Sequence, residues 1–156
     1  MENSSSDKTP MPATIQLNAD FSGKLVDQKS YRAIIGSLFY LTATRPDIMY
    51  STYLCARFQS DPKKSNPIVA KRILRYLKGR PNLGLWYSKD SAFELFSLID
   101  SNHVGCKLNR KSTSSACQFL GDKLVSWSLK KQKCLSLSTA QAEYVITGSC
   151  FSRSCV

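Results

Sequence analysis

One stretch, residues 93–143, most constrains what this chain can fold into. It begins with an apolar run, Phe93–Asp100, whose composition is typical of a covered β-strand. Two further strand-like runs follow, Ser115–Leu120 and Leu124–Leu129. Gly121-Asp122-Lys123 separates these two runs and predicts a β-hairpin. We therefore expect three antiparallel strands in this part of the chain.

A helix is expected directly after the third strand. Ser138-Thr139-Ala140-Gln141 has the pattern of a capping box, with Ser138 as the N-cap. Glu143 then falls in the first turns of this helix, and Asp100 falls at the end of the first strand. Three strands followed by a helix can bring these two carboxylates together.

The residues upstream predict a helical segment, 24–82, behind a disordered N-terminal tail, 1–23. The tail is rich in Ser, Thr, Pro and Asn and has little periodicity. Apolar spacing predicts three helices, which are residues 27–43, a helix beginning near Thr44, and residues 66–79. A short strand is expected at Leu85–Tyr87, at the start of a third segment, 83–156.

The last of these three helices is amphipathic and basic. Val69, Ile73 and Tyr76 recur at helical spacing and predict a buried face. The basic residues of the helix are Lys71, Arg72, Arg75 and Lys78. They fit either a solvated surface or a stripe that contacts nucleic-acid phosphates, and the sequence alone leaves both interpretations open.

Charge favours an anionic partner. The chain carries 22 Lys and Arg residues against 11 Asp and Glu residues, a net charge of +11. A second basic cluster lies within the strand region and includes Arg110, Lys111, Lys130 and Lys131. Nucleic acid is the first candidate partner for such a composition, and a solvated basic surface is the alternative.

The six cysteines and the single histidine indicate no structural zinc site, because no Cys-x-x-Cys pair is present. The sequence shows no secretory signal run and no apolar stretch long enough to span a bilayer. We therefore expect reduced thiols, no membrane partner and a cytoplasmic or nuclear location.

Several motifs resemble those of one known family. Those downstream of the predicted helical segment are Asp100-Ser101-Asn102-His103-Val104-Gly105-Cys106, Arg110–Ser114, Ser126–Gln132 and Ser138–Tyr144. In that order they resemble the ribonuclease H domain of copia-type plant retrotransposon polyproteins. Upstream, Tyr31–Leu41, Thr44–Ile48 and Arg72–Gly79 resemble the segment that joins the reverse transcriptase to that domain.

The resemblance implies a mixed α/β fold with a truncated ribonuclease H-like domain behind a helical connection segment. It implies Mg²⁺-dependent cleavage of RNA–DNA hybrids, with Asp100 and Glu143 in the positions of catalytic, metal-binding carboxylates. Two-metal hydrolysis requires clustered carboxylates, and the family supplies at least three. The resemblance does not imply polymerase activity, because no Tyr-x-Asp-Asp motif occurs in the chain.

The expected site is incomplete. Only thirteen residues follow Glu143, and the family's next carboxylate lies on a later strand. The family commonly has Asp at the position of Asn102 and a large aromatic residue at that of His103. Loss of the later strand also predicts an open apolar edge on the first strand, which invites pairing with another chain.

Four functions follow as expectations. The chain is a relic or domesticated fragment of a retrotransposon polyprotein with little nuclease activity, or a non-catalytic binder of RNA–DNA hybrid or duplex. Alternatively, it is a protein-interaction module that uses the open strand edge for a partner or a homodimer. It is an active ribonuclease only if a partner supplies the missing acid.

Overall fold

The chain divides into a helical unit and a unit built on a β-sheet. The computed structural model describes residues 4–12, 26–89, 93–103 and 110–154. The helical unit spans Met1–Leu85 and the sheet unit spans Trp86–Val156. The predicted mixed α/β fold class is confirmed at this level.

Three α-helices form the helical unit, as predicted from apolar spacing. They are α1 (Gln28–Leu41), α2 (Met49–Ala56) and α3 (Ser65–Gly79). The Asp27 carboxylate caps α1 by accepting the backbone N–H groups of Lys29 and Ser30 at 3.0 and 3.3 Å. The helix expected near Thr44 instead begins with a 3₁₀ turn, Pro46–Ile48, and continues as α2.

The core of the helical unit lies between these helices. Its buried members are Tyr31, Ile35, Leu38, Ile48, Cys55, Val69, Ala70, Ile73 and Tyr76. The Tyr31 hydroxyl donates to the Cys55 carbonyl oxygen at 2.9 Å, so the buried phenol is hydrogen-bonded. Burial raises the pKa of the Cys55 thiol to about 12, and this thiol stays protonated at neutral pH.

A polar network joins the 3₁₀ turn to α3. Arg45 Nε and Nη2 donate to the two Asp47 carboxylate oxygens at 3.0 and 2.9 Å. The Tyr76 hydroxyl donates to the same carboxylate at 2.8 Å, and Arg45 Nη1 donates to the Arg80 carbonyl oxygen at 3.1 Å. Burial raises the pKa of Asp47, but the hydrogen bonds from Arg45 and Tyr76 and the Arg45 charge outweigh it and leave the pKa lowered.

The sheet unit contains three antiparallel strands in the order β1 (Leu95–Asn102), β2 (Thr113–Leu120) and β3 (Lys123–Lys131). The predicted hairpin joins β2 to β3, and Gly121 in its turn has a φ of 61°. This left-handed conformation favours glycine. Residues 85–87 lie outside any strand, so the short strand predicted there is wrong.

Helix α4 (Thr139–Ser154) covers one face of the sheet. Ala142, Ile146 and Cys150 recur every four residues and are buried, so they form the face toward the strands. Ser138 Oγ accepts the Gln141 N–H at 3.1 Å, which confirms Ser138 as the cap. The Gln141 side chain accepts from the Leu137 N–H at 2.7 Å, one residue earlier than in a standard capping box.

Strand β1 is an edge strand and is exposed, which corrects the interpretation of Phe93–Asp100 as a covered strand. Within the described residues β1 pairs only with β2. Leu98 and Leu95 remain 60% and 51% exposed. The apolar side chains of β1 are therefore only partly covered by the other two strands and α4.

We expect Asp47→Asn to remove an acid-dependent part of the stability of the helical unit. The pKa of Asp47 is lower in the folded chain than its ordinary value of about 3.9, so its stabilising effect is complete above that value. It is lost as the pH falls through the lowered pKa. Urea unfolding between pH 7 and pH 2, followed by the helical circular dichroism signal, measures this.

The exposed Asp61 provides the matched control, because Asp61→Asn also removes one carboxylate from the same unit. The wild type and Asp61→Asn should lose stability more steeply below pH 4 than Asp47→Asn does. Parallel curves for all three proteins would contradict this assignment of Asp47.

Candidate functional site

Asp100 lies near the carboxyl end of β1. It pairs with Ser115 at the start of β2, and its carbonyl oxygen accepts the Ser115 hydroxyl at 3.4 Å. Side chains alternate along a strand, so Asp100 faces away from the sheet surface that carries Ile99. Ile99 borders a groove with Thr147 and Phe151 of α4. Asp100 is therefore an exposed carboxylate on the sheet surface opposite α4.

A buried glutamine connects this end of the sheet to α4. Gln132 Nε2 donates to Ser114 Oγ and to the Ala142 carbonyl oxygen, each at 2.8 Å. Gln132 Oε1 accepts the Ser136 hydroxyl at 2.8 Å, and the Gln132 N–H donates to the Ser112 carbonyl oxygen at 2.9 Å. Gln132 thus joins β2, the segment after β3, and the first turns of α4.

Glu143 follows Ala142 directly and is exposed. Gln132 holds Ala142 beside Ser114, so the backbone of Glu143 lies at the same end of the sheet as Asp100. The two predicted carboxylates therefore share one end of the sheet but are not brought together, because Asp100 lies on the surface opposite α4 and Glu143 is carried by α4. The sequence analysis identified both acids but missed Gln132, the residue that positions Glu143. The sequence signal for Gln132 is an uncharged polar residue between Lys131 and Lys133.

The second predicted basic cluster gathers at this same end. Lys130 and Lys131 end β3, opposite Ser114 and Thr113 at the start of β2. Lys111 lies just before β2, and its Nζ donates to the Lys133 carbonyl oxygen at 2.6 Å. Arg110 is exposed and has a φ of 54°, a left-handed backbone conformation that is uncommon for arginine. Strand alternation directs Lys130 and Lys131 to opposite sheet surfaces.

The expected magnesium ions do not fit the described residues. Among residues 4–12, 26–89, 93–103 and 110–154, no group of three or more His, Cys, Asp or Glu side chains could hold a metal ion. Two exposed carboxylates at one sheet end fall short of the cluster that two-metal hydrolysis requires. His103 instead contacts the buried Ser112, with Nδ1 at 3.5 Å from Oγ.

The basic residues of α3 form a stripe opposite its buried face, and we call Lys71, Arg72, Arg75 and Lys78 the α3 stripe. Val69, Ile73 and Tyr76 are buried, as their spacing predicts. Lys71 is exposed, whereas Arg72 and Arg75 are partly buried. Asp7 lies between the two arginines, with ion-pair distances of 3.5 Å to Arg72 and 2.6 Å to Arg75. The α3 stripe therefore holds an anionic group within the chain itself.

Residues 4–12 belong to the segment predicted to be a disordered tail, yet they contact α3. Arg72 donates to the carbonyl oxygen and to the hydroxyl of Thr9, each at 3.3 Å. Lys78 Nζ donates to the Ser4 carbonyl oxygen at 3.1 Å, and Met11 packs against the core. A tail with such polar composition is ordered here because charged partners on α3 offset the loss of chain entropy.

None of the described helices is both long and apolar enough to cross a membrane.

Comparison with known proteins identifies several relatives. The chain is 39% identical over 137 residues to the uncharacterized mitochondrial protein AtMg00810 of Arabidopsis thaliana. It is 40% identical over 136 residues to the retrovirus-related Pol polyprotein from transposon RE1 of the same plant. It is 32% identical over 152 residues to the corresponding polyprotein from transposon TNT 1-94 of Nicotiana tabacum.

These matches cover most of this chain and a smaller part of each relative. They include 87%, 87% and 93% of this chain, but 56% of the mitochondrial protein, 9% of the RE1 polyprotein and 11% of the TNT 1-94 polyprotein. No protein-family model matches the chain. No solved structure matches it either.

We expect Gln132→Ala to destabilise the sheet unit by about 2–4 kcal/mol, because it leaves several buried hydrogen-bonding groups without their partner. The Ala142 carbonyl and the Ser136 hydroxyl both lose the Gln132 side chain. Urea unfolding followed by tryptophan fluorescence, which includes Trp127 of β3, measures the change in unfolding free energy.

Lys133→Ala is the matched control, because Lys133 is the next residue but its side chain is exposed. This variant should change stability by less than about 0.5 kcal/mol. Equal effects of the two substitutions would show that Gln132 does not hold α4 against the sheet.

Proposed function

Because the chain belongs to the copia-type retrotransposon Pol polyprotein family, we propose that it is a ribonuclease H-like fragment that binds nucleic acid. In this proposal it retains the phosphate-binding surface and part of the carboxylate site. It does not by itself complete the metal site that hybrid cleavage needs.

One observation carries the proposal: the convergence of charge at one end of the sheet. Asp100 and Glu143 start from this end, and Arg110, Lys111, Lys130 and Lys131 gather around it. Exposed cations that gather at one end of a sheet suit a phosphodiester substrate, since they attract its backbone. A merely solvated basic surface does not require this convergence.

The same chemistry extends to the helical unit. Asp7 already gives the α3 stripe a carboxylate partner at 2.6 Å from Arg75. Arginine binds phosphate oxygens with the same donors that it presents to a carboxylate. Such contacts hold the nucleic-acid backbone without reading base sequence, so we expect RNA–DNA hybrid and duplex to bind with similar affinity.

The incomplete carboxylate set supports binding rather than cleavage by the chain alone. Asp100 and Glu143 are the only acids that the resemblance assigns to the site, and Asn102 stands where the family commonly has Asp. A partner chain that supplies a third carboxylate would meet the requirement of two-metal hydrolysis for clustered carboxylates. Cleavage by this chain therefore depends on that partner.

We expect the full chain to bind a fluorescent RNA–DNA hybrid with a strong dependence on salt. Phosphate contacts release counterions, so three such contacts should lower the affinity by roughly fortyfold between 50 and 200 mM KCl. The double variant Lys130→Ala, Lys131→Ala should bind about three- to tenfold more weakly than wild type at 50 mM KCl and should reduce the salt dependence. Fluorescence anisotropy measures both quantities.

The double variant Lys29→Ala, Lys64→Ala is the control, because it removes the same charge from two exposed positions of the helical unit. Its affinity should stay closer to that of wild type. Binding that does not respond to salt, or equal losses in the two double variants, would contradict the proposed surface. The same hybrid, incubated with Mg²⁺ or Mn²⁺, should remain uncut by the isolated chain; cleavage that Asp100→Asn abolishes would contradict the incomplete site.

The exposure of β1 favours a second function, association through a strand edge. Phe96, Leu98 and Ile99 are 44%, 60% and 39% exposed, and apolar side chains occupy both surfaces of the strand. Ile99 also borders a groove of about 470 Å³ against α4. An edge with these features is a template for another strand, and we propose a second copy of β1 as its partner.

We expect the chain to form dimers at tens of micromolar concentration and Leu98→Lys to weaken them by at least about tenfold, because it places a charge in the paired edge. Multi-angle light scattering over a dilution series measures this. Tyr40→Lys is the control, since Tyr40 is 84% exposed in the helical unit. A chain that is monomeric at all concentrations would exclude the dimer.

A further inference from the structure

Residues 4–11 form a strap across the basic surface of α3. Three of the four cationic residues of the α3 stripe contact it. Asp7 pairs with both arginines, Thr9 accepts two hydrogen bonds from Arg72, and the Ser4 carbonyl accepts one from Lys78. These contacts follow the helix over two turns, from Arg72 to Lys78.

Close packing fixes the strap at the end of α3. A Cβ atom added to Gly79 would lie 2.7 Å from Ser6 Cβ and 3.3 Å from Ser6 Oγ. Atoms of this kind do not approach so closely, so the strap can reach this position only where the helix ends in a residue without a side chain. Gly79, the last residue of α3, therefore permits the close approach of the strap.

The strap and a phosphate backbone would use the same donors. Arg75 Nε donates to an Asp7 carboxylate oxygen at 2.6 Å, a short charge-assisted hydrogen bond. A nucleic-acid phosphate that bound Arg72 and Arg75 would have to replace this carboxylate. The two anions cannot occupy the same guanidinium edges together.

We propose that the strap is an internal competitor of nucleic acid at the α3 stripe, so that binding at this surface requires its release. This inference rests on the proposed function, because it concerns regulation of the same phosphate-binding surface. Lys71 is exposed, and it gives a phosphate backbone a first contact. The strap then yields Arg72, Arg75 and Lys78 as the backbone advances along the helix.

The first test removes the charge of the strap. Asp7→Asn should raise the affinity of the full chain for a labelled RNA–DNA hybrid about two- to fivefold at 50 mM KCl, as expected for the loss of exposed ion pairs that compete with the ligand. Asp61→Asn is the matched control, because it also adds one positive unit to the net charge and releases Lys63 from its pair at 3.0 Å. The control should raise the affinity less.

The second test displaces the strap without changing any charge. Gly79→Ala should raise the affinity in the same direction, because the added methyl group would collide with Ser6. Gly36→Ala is the control, since a Cβ there meets nothing within 4 Å. Both substitutions place alanine in a helix, where it is favoured over glycine, so a gain specific to Gly79→Ala arises from the strap.

Trypsin provides a readout that does not depend on affinity. Lys8 lies within the strap and is exposed. Cleavage after Lys8 should become about two- to fivefold faster in Asp7→Asn and Gly79→Ala than in their controls, because the released strap fits a protease more readily. Addition of saturating hybrid to the wild type should accelerate this cleavage in the same direction.

The outcomes separate this inference from the proposed function. If Lys71→Ala weakens hybrid binding while Asp7→Asn and Gly79→Ala match their controls, the α3 stripe binds nucleic acid but the strap does not compete. That result would overturn the inference alone. If neither Lys71→Ala nor the Lys130, Lys131 double variant changes binding, the proposed function fails as well. Gains in both strap variants, above their controls, establish the competition.

Discussion

The Asp47 carboxylate is the contact on which the arrangement of the helical unit depends most directly. It accepts hydrogen bonds from Arg45 beside it and from Tyr76 in the last turn of α3. Hydrogen bonds of this charged kind are directional, so they fix the rotation of α3 as well as its distance from the 3₁₀ turn. The buried Ile73 and Val69 then face the core, and the α3 stripe faces outward. This carboxylate thereby helps to fix which surface of α3 faces away from the core.

Gln132 has the corresponding role in the sheet unit. Apolar packing of Ala142, Ile146 and Cys150 holds α4 on the sheet but permits it to slide, since such contacts have little directionality. The hydrogen bonds of Gln132 to Ser114 and to the Ala142 carbonyl oxygen remove this freedom. They set Glu143 at the end of the sheet where Asp100 and the basic residues lie. Each unit thus uses a single polar side chain to position an element that carries residues of a proposed binding surface.

Both proposed surfaces are cationic, but they differ in what already neutralises them. The α3 stripe has Asp7 across it, and this carboxylate contacts both of its arginines. Lys130 and Lys131 are exposed at the end of the sheet where Asp100 lies. In the proposed function, the sheet unit is therefore the surface that a phosphate backbone would reach first, and the α3 stripe would become available once the strap is released. Part of the net charge of +11 is in this way paired within the chain, while the rest is exposed to an anionic partner.

The sequence by itself determined most of the elements and the family. The 3.6-residue spacing of Val69, Ile73 and Tyr76, the turn at Gly121 and the cap at Ser138 are local signals, and they predicted α3, the hairpin and the start of α4. Tertiary structure decided what these signals could not encode. The exposure of β1 depends on which strands flank it, and the role of Gln132 on groups ten or more residues away. The ordering of residues 4–12 depends on arginines more than sixty positions later in the chain. Such contacts arise between residues distant in sequence, so no local pattern of composition or periodicity records them.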